Sequence, residues 1–347
     1  MNLIAATIRA AERLPLSDGL TLSGIDFLVG RTARKLNAAP AQADADFVTA
    51  MQAFPVAIHT DDANAQHYEV PADFFQAMLG PRRKYSCCYF DAANSTLAQA
   101  EEAALAASCE HAQLADGQRI LELGCGWGSL TLWMAEHYPR AHITAVSNSA
   151  SQRAYIESRL AAGGYRNVRV VTEDMNRFAT DPQSAPFDRV VSIEMFEHMA
   201  NWDTLLQRVR AWVAPHAKLF LHVFSHRAAP YRFDHRDPTD WIAQHFFTGG
   251  LMPSHRMIEQ FSNVFQLEQQ WRWDGTHYAR TAQAWLDNFD EHDDSVERIL
   301  AEVYGADAGL WRRRWRLFLL STIGLFGHRH GSEWGVSHYL LSPTAPF

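Results

Sequence analysis

Three ionisable side chains, Glu194, Glu197 and His198, fall within five positions in the stretch IEMFEHM, directly behind the apolar run FDRVVS. A carboxylate can accept a proton or orient an N–H, and an imidazole changes charge near neutral pH. At the rim of a buried strand such a set is an acid–base site. On an ordinary helix the acidic pair would only favour the dipole, and His198 would cap or pack. A second candidate lies upstream, where LELGCGWGSLTLWMAEHY puts Gly124, Gly126 and Gly128 between an apolar strand and a helix. Glycines permit a tight turn and close approach of a ligand, while the helix start presents free N–H groups. The context reads as a cofactor loop, with a purely structural turn as the alternative.

Both candidates need strands whose ends converge. QRILEL, HITAVS, NVRVVTED, FDRVVSIEM and AKLFLHVF read as five strands, separated by helical patterns in SLTLWMAEHY, residues 149–162 and NWDTLLQRVRAWVA. This alternation predicts an α/β domain with a mainly parallel sheet and a ligand crevice beyond the carboxyl ends of its strands. Residues 1–110 read as a helical N-terminal region, in which STLAQAEEAALAASCEHAQL is a helix capped by Ser95 or Thr96. Residues 111–225 form the α/β core, and 226–347 a cap insertion that also completes the sheet, through VFQLEQQWRW, two helices and a final strand at WGVSHYLLS.

Composition narrows the function classes. With 347 residues, 47% of them hydrophobic, the chain can build a sizeable core. Its 31 basic and 39 acidic residues give a net charge of -8 and no general reason to expect nucleic acid. Cys87, Cys88, Cys109 and Cys125 lack the paired spacing of a zinc site or a disulfide framework, which favours a reducing compartment. The N-terminal stretch is broken by Arg9 and further charges before it can form a secretory core, and no apolar run of about 18 residues follows. A cytoplasmic, metal-independent protein is expected.

The glycine loop departs from the GxGxxG spacing of dinucleotide sites, and ITAVSNS lacks their terminal acid. It resembles instead the first motif of class I S-adenosylmethionine-dependent methyltransferases, with Glu122 preceding the glycines. The resemblance implies a Rossmann-like, mostly parallel sheet with an antiparallel C-terminal strand and S-adenosylmethionine as cofactor. It sets Gly124, Gly126 and Gly128 near the methionine part, with Glu122 orienting the loop or the positively charged ligand. Asn148 and Gln152 can offer amide groups to a ribose or adenine. Asp174 lies where such folds meet the adenine amino group, a helix cap being its alternative role.

The likeness narrows through KYSCCYF at 84–90, SIEMFEHM at 192–199, FFTGGLMPS at 246–254 and HYARTAQAW at 277–285. Together with the glycine loop these are similar to the cyclopropane-fatty-acid-synthase-like methyltransferases, and most closely to their coclaurine N-methyltransferase branch. Lipid members surround a bicarbonate ion with a Cys, Glu, His and Tyr. Cys87, Glu197, His222 and Tyr278 fall at the matching motif positions, to hold an anion or line a reused cavity. Glu194 stands where the lipid enzymes resemble GMFEH, with a glycine, and FFTGG looks more like the amine branch than the lipid FPGG.

In the amine branch Glu194, Glu197 and His198 match residues of substrate recognition and catalysis. An ammonium has no lone pair to attack with, so a neutral amine must be generated and held. Chemically, Glu197 is suited to orienting the amine N–H or taking its proton, His198 to serving as an alternate base or relay, and Glu194 to orienting a hydroxyl or stabilising the amine. Tyr85 and Ser86 are expected on the cofactor side, and Phe246, Phe247 and Tyr278 around the substrate. WRRRWRLFLL at 311–320 reads as a packed helix with an arginine face, or as a membrane-facing one. That patch keeps a lipid acceptor as the alternative to a small-molecule amine. A non-catalytic module that only binds the cofactor is a further one, and homo-oligomerisation stays open.

Overall fold

The computed structural model describes residues 5, 8, 11–14, 16–58 and 70–344; the helical reading of the other N-terminal residues lies outside them. Helices α1 (Asp18–Asn37), α2 (Ala43–Met51), α3 (Ala72–Met78) and α4 (Leu97–His111) precede the sheet. Thr96 caps α4 in a reciprocal box with Gln99, so the second of the two expected caps is the one used. Strands β1 (Arg119–Leu123), β2 (His142–Ser147) and β3 (Val168–Thr172) are joined by α5 (Ser129–His137) and α6 (Ala150–Gly163). β4 (Phe187–Ile193) and β5 (Val213–His226) follow, linked by α7 (Trp202–Trp212).

A short antiparallel pair, β6 (Tyr231–Arg232) and β7 (Leu251–Met252), encloses α8 (Trp241–His245). Then β8 (Phe265–Asp274) leads into α9 (Gly275–Glu291), α10 (Asp293–Tyr304) and α11 (Ala308–Gly327), and β9 (Trp334–Pro343) returns to the sheet. The seven-stranded order is β3-β2-β1-β4-β5-β9-β8. β1 to β5 pair in parallel, and β9 runs antiparallel to both β5 and β8. The expected α/β class, with its antiparallel C-terminal strand, is the one found.

Side chains alternate across each strand, so the sheet has two apolar faces. Leu121, Leu123, Val190, Leu219 and Leu221 pack on Trp202, Leu205, Leu206 and Val209 of α7. Ile120, Ile143, Val191 and Phe220 pack on Leu105 and Cys109 of α4 and Leu130 and Met134 of α5. The chain reverses its winding at β1, which leaves a crevice between the carboxyl ends of β1 and β4.

Helices α9 and α11 roof that crevice. Trp315 and Leu319 bury the apolar stripe of α11, while its arginines are tied inside the molecule. Arg312 pairs with Asp293, Arg314 with Glu12, and Arg316 with both Asp18 and Asp290, while Arg313 donates to the Glu12 carbonyl. The packed-helix reading of WRRRWRLFLL therefore holds. Among the described residues no helix is long and apolar enough to cross a membrane.

Asp274 caps α9 by accepting from the Thr276 N–H at 2.8 Å, and Gly275 fits where backbone crowds it. A Cβ there would lie 2.1 Å from the Phe326 carbonyl oxygen and 2.4 Å from that of Trp334. Neither can yield without moving α11 or β9. Gly275→Ala is expected to lower stability by about 2 kcal/mol or more, read as a drop in Tm.

Candidate active site

The loop after β1 is set by backbone conformation. Gly124, Gly126 and Gly128 have φ of +80°, +52° and +81°, a left-handed region costly to residues with a Cβ. A Cβ on Gly124 would lie 2.5 Å from Cβ of Met195, so this glycine lets the turn after β4 close on the loop after β1. A Cβ on Gly126 would meet nothing within 4 Å, and Gly126 borders a cavity of about 1280 Å³. Gly128 differs from the expectation: it opens α5, packs towards Ile156 and is not on the cavity wall.

Tyr85, Ser86, Glu122, Gly124, Asn148, Gln152 and Asp174 share that wall. Gln152 Oε1 accepts from the Ser147 hydroxyl at 2.7 Å, and Asp174 Oδ1 from the Asn176 N–H at 2.6 Å. Glu122 is buried and accepts from the Thr131 hydroxyl. A glycine edge open to the cavity, a buried carboxyl behind it and amide groups along the next strand end fit S-adenosylmethionine. The volume exceeds the roughly 300–1,000 Å³ of a single-ligand pocket, which leaves room for an acceptor.

The other half of the cavity is aromatic. Phe246 stacks on Phe318 at 4.6 Å between ring centroids, and Tyr278 on Phe326 at 4.3 Å. Phe247 lies 4.4 Å from the His198 ring and 4.8 Å from Phe233. His198 itself lines the cavity from the single 3-10 turn Phe196–His198 that follows β4.

Glu194 is the centre of the site. Its Oε1 accepts from the Cys87 backbone N–H at 2.9 Å and faces His222 Nε2 at 3.2 Å, and its Oε2 accepts from the Tyr278 hydroxyl at 2.6 Å. Glu194 takes φ +47°, the conformation suited to the glycine of the GMFEH pattern. A non-glycine residue held there costs on the order of 1–3 kcal/mol, and such residues cluster at functional sites.

This corrects the sequence-based quartet. Glu197 does not join Cys87, His222 and Tyr278; Glu194 does, because the left-handed residue redirects its side chain among them. Glu197 is fully buried and off the cavity wall, with Oε1 accepting from the Phe224 N–H at 2.7 Å and Oε2 without a hydrogen-bond partner. Cys87 and His222 likewise sit behind the wall, reaching the cavity through Glu194.

The two carboxyls repel one another as anions. Burial raises both, and the Glu194 charge adds to burial in holding Glu197 well above the ordinary carboxyl range. For Glu194 that effect is opposed by Lys84, the Tyr278 hydroxyl and the Cys87 N–H, so of the two Glu194 is the readier to ionise. Burial drives His222 well below the usual imidazole range and pushes the Tyr278 hydroxyl and Cys87 thiol up. His222 is thus a neutral N–H donor, Tyr278 an O–H donor and Cys87 no thiolate.

Sequence reasoning missed Lys84, which is buried and donates to Ser86 Oγ and the Cys87 carbonyl, both at 2.6 Å. It fixes the segment whose N–H binds Glu194. A lysine beside the YSC motif was the available signal.

A family model described as mycolic acid cyclopropane synthetase matches residues 57–330. The chain belongs to that family. Within this cyclopropane-synthase-like family it is 35% identical over 291 residues to (S)-coclaurine N-methyltransferase of Thalictrum flavum subsp. glaucum, covering 82% of this chain and 80% of the relative. Cyclopropane-fatty-acyl-phospholipid synthase of Escherichia coli (strain K12) is 31% identical over 259 residues, 72% of this chain and 64% of the relative. A solved structure of coclaurine N-methyltransferase bound to N-methylheliamine and SAH superposes with a TM-score of 0.89 at 31% identity, covering 98% of this chain and 99% of that one.

In this family member, burial raises Glu122 from an ordinary 4.5 to about 7. The ligand-free native state keeps a proton that the unfolded chain gives up above 4.5. Stability from this position therefore falls as pH rises from 4.5 towards 7, by about 3 kcal/mol at most. A cationic ligand reverses the preference. Affinity for S-adenosylmethionine is expected to rise from about pH 6 to about pH 8 and to flatten in Glu122→Gln, read by titration calorimetry.

Proposed function

We propose that the protein transfers a methyl group from S-adenosylmethionine to the nitrogen of a small amine carried on an aromatic scaffold, of the aromatic alkylamine or tetrahydroisoquinoline type. The observation that carries the reading is a tethered anion, Glu194, held by three donors and opening on an aromatic-walled cavity that it shares with the cofactor loop. Relatives named for coclaurine and tetrahydroprotoberberine point the same way.

The cofactor, when bound, supplies a methyl on a sulfonium. Gly124, Gly126 and Glu122 hold its methionine part, and Asn148, Gln152 and Asp174 its nucleoside. Glu194 attracts the incoming ammonium and takes one of its protons, which frees a lone pair for attack. Tyr278, His222 and the Cys87 N–H keep that carboxylate ionised and aimed. His198, backed by Phe247, orients the amine as a second hydrogen-bonding group. Phe246, Phe247 and Tyr278 hold the ring and exclude water, and their faces favour a cation. Glu197, neutral, serves as a positioning residue that holds the Phe224 backbone.

On this reading the Glu194 carboxylate, held by the Cys87 N–H, His222 and Tyr278, takes the place the resemblance gave to bicarbonate. Methyl-labelled S-adenosylmethionine offered with aromatic alkylamines and with unsaturated phospholipids is expected to yield labelled N-methyl products alone. A lipid product gaining one methylene would instead assign cyclopropanation. Glu194→Gly empties the anion position and relaxes the backbone. It is expected to lower kcat by about 10²–10⁴, with partial recovery on adding formate or bicarbonate.

A further inference from the structure

Behind Glu194, on the side away from the cavity, three imidazoles stand in file. His222 Nε2 faces Glu194 Oε1 at 3.2 Å, His222 Nδ1 faces His338 Nε2 at 2.8 Å, and His338 Nδ1 faces His111 Nδ1 at 2.8 Å. His222 and His338 are direct partners in the β5–β9 register, and Trp271 of β8 is the partner of His338 on its other side. Being opposite one another across neighbouring strands, these side chains share a sheet face. His111, at the end of α4, packs onto that face with its ring stacked on Trp271 at 3.9 Å and 4° between planes. His222 and His338 are completely buried, whereas His111 is partly exposed.

Hydrogen-bond logic permits two ordered sets of protons. With Glu194 ionised, His222 donates from Nε2, His338 donates from Nε2 to His222, and His111 donates from Nδ1 to His338. With Glu194 protonated, every bond runs the other way and His111 Nε2–H ends the file at the surface. Moving each hydrogen along its own bond converts the second set into the first, ionises Glu194 and releases one proton at His111. No buried imidazole need carry a charge, in keeping with burial driving His222 and His338 well below the ordinary range.

We propose that the file His222–His338–His111 returns Glu194 to its carboxylate in each turnover by passing the acceptor's proton to solvent at His111. This rests on the amine reading. There, a substrate ammonium loses one N–H, the nitrogen gains the methyl as the bond from methyl to sulfur breaks, and one proton is left over per methyl. Acceptor and cofactor fill the cavity side of Glu194, so the rear of the carboxylate is the unobstructed way out. Reorientation of the imidazoles completes the cycle.

Two measurements test the file. In protein carrying ¹⁵N-histidine, long-range ¹H–¹⁵N correlation is expected to find Nε2–H tautomers at His222 and His338 and an Nδ1–H tautomer at His111, with the His111 signal shifting in Glu194→Gln. A His111 indifferent to Glu194, or protonated at Nε2 alone while Glu194 is ionised, overturns the proposal. This needs no substrate, so it decides even if no amine is methylated. In stopped flow with a pH indicator, proton release keeps pace with methyl transfer in the native protein. In His111→Gln it is expected to lag by about tenfold or more, recovering in part with added imidazole. Release that still keeps pace in this variant, or in His111→Asn should the first fold poorly, also overturns it.

Discussion

A carboxylate taken out of water destabilises a protein by several kcal/mol unless donors surround it, and most of this molecule's less regular architecture serves to surround Glu194. The three donors come from separate places: the Cys87 backbone, the His222 ring on β5 and the Tyr278 hydroxyl on α9. Each must be held in turn. Lys84 fixes the carbonyl of Cys87, β9 backs β5, and Gly275 lets α9 begin hard against Phe326 and Trp334. The left-handed turn at Glu194 is tolerable because all of these meet on it.

On the proposed reading the same constraint bears on the choice of acceptor. A glycine at this position would leave a ring of donors able to bind an anion from solution. A glutamate supplies the anion covalently, so its occupancy no longer depends on a dissolved ion, and tethering gives it a high effective concentration. An anion attached to the backbone is suited to recognising a cationic acceptor, and the Phe246, Phe247 and Tyr278 rings add a surface that favours positive charge.

The sheet was legible in the sequence because its signals are local. QRILEL, HITAVS and FDRVVSI have strand periodicity, the glycines of GCGWG punctuate them, and Thr96 and Ser149 announce helix starts. The strand ends that converge on the cavity follow from that order. What could not be read was direction. Glu194 and Glu197 sit in one short motif, and a positive φ at a non-glycine residue decides which of them points among Cys87, His222 and Tyr278. Nor does sequence report cross-strand register: His111 and His338, 227 positions apart, touch only because β9 inserts beside β5.

That insertion governs how the site can come into being during synthesis. β9 is the last of the described strands, yet it separates β5 from β8 and carries the residue that backs His222. Arg316 of α11 pairs with Asp18 of α1, 298 positions away. Contacts of such sequence separation form late, since a long loop must close before they reward it. A growing chain can fold the glycine loop and β1 to β4 long before it can enclose Glu194. The emerging polypeptide therefore completes the glycine-loop half of the cavity first, and the surroundings of Glu194 only when β9 docks.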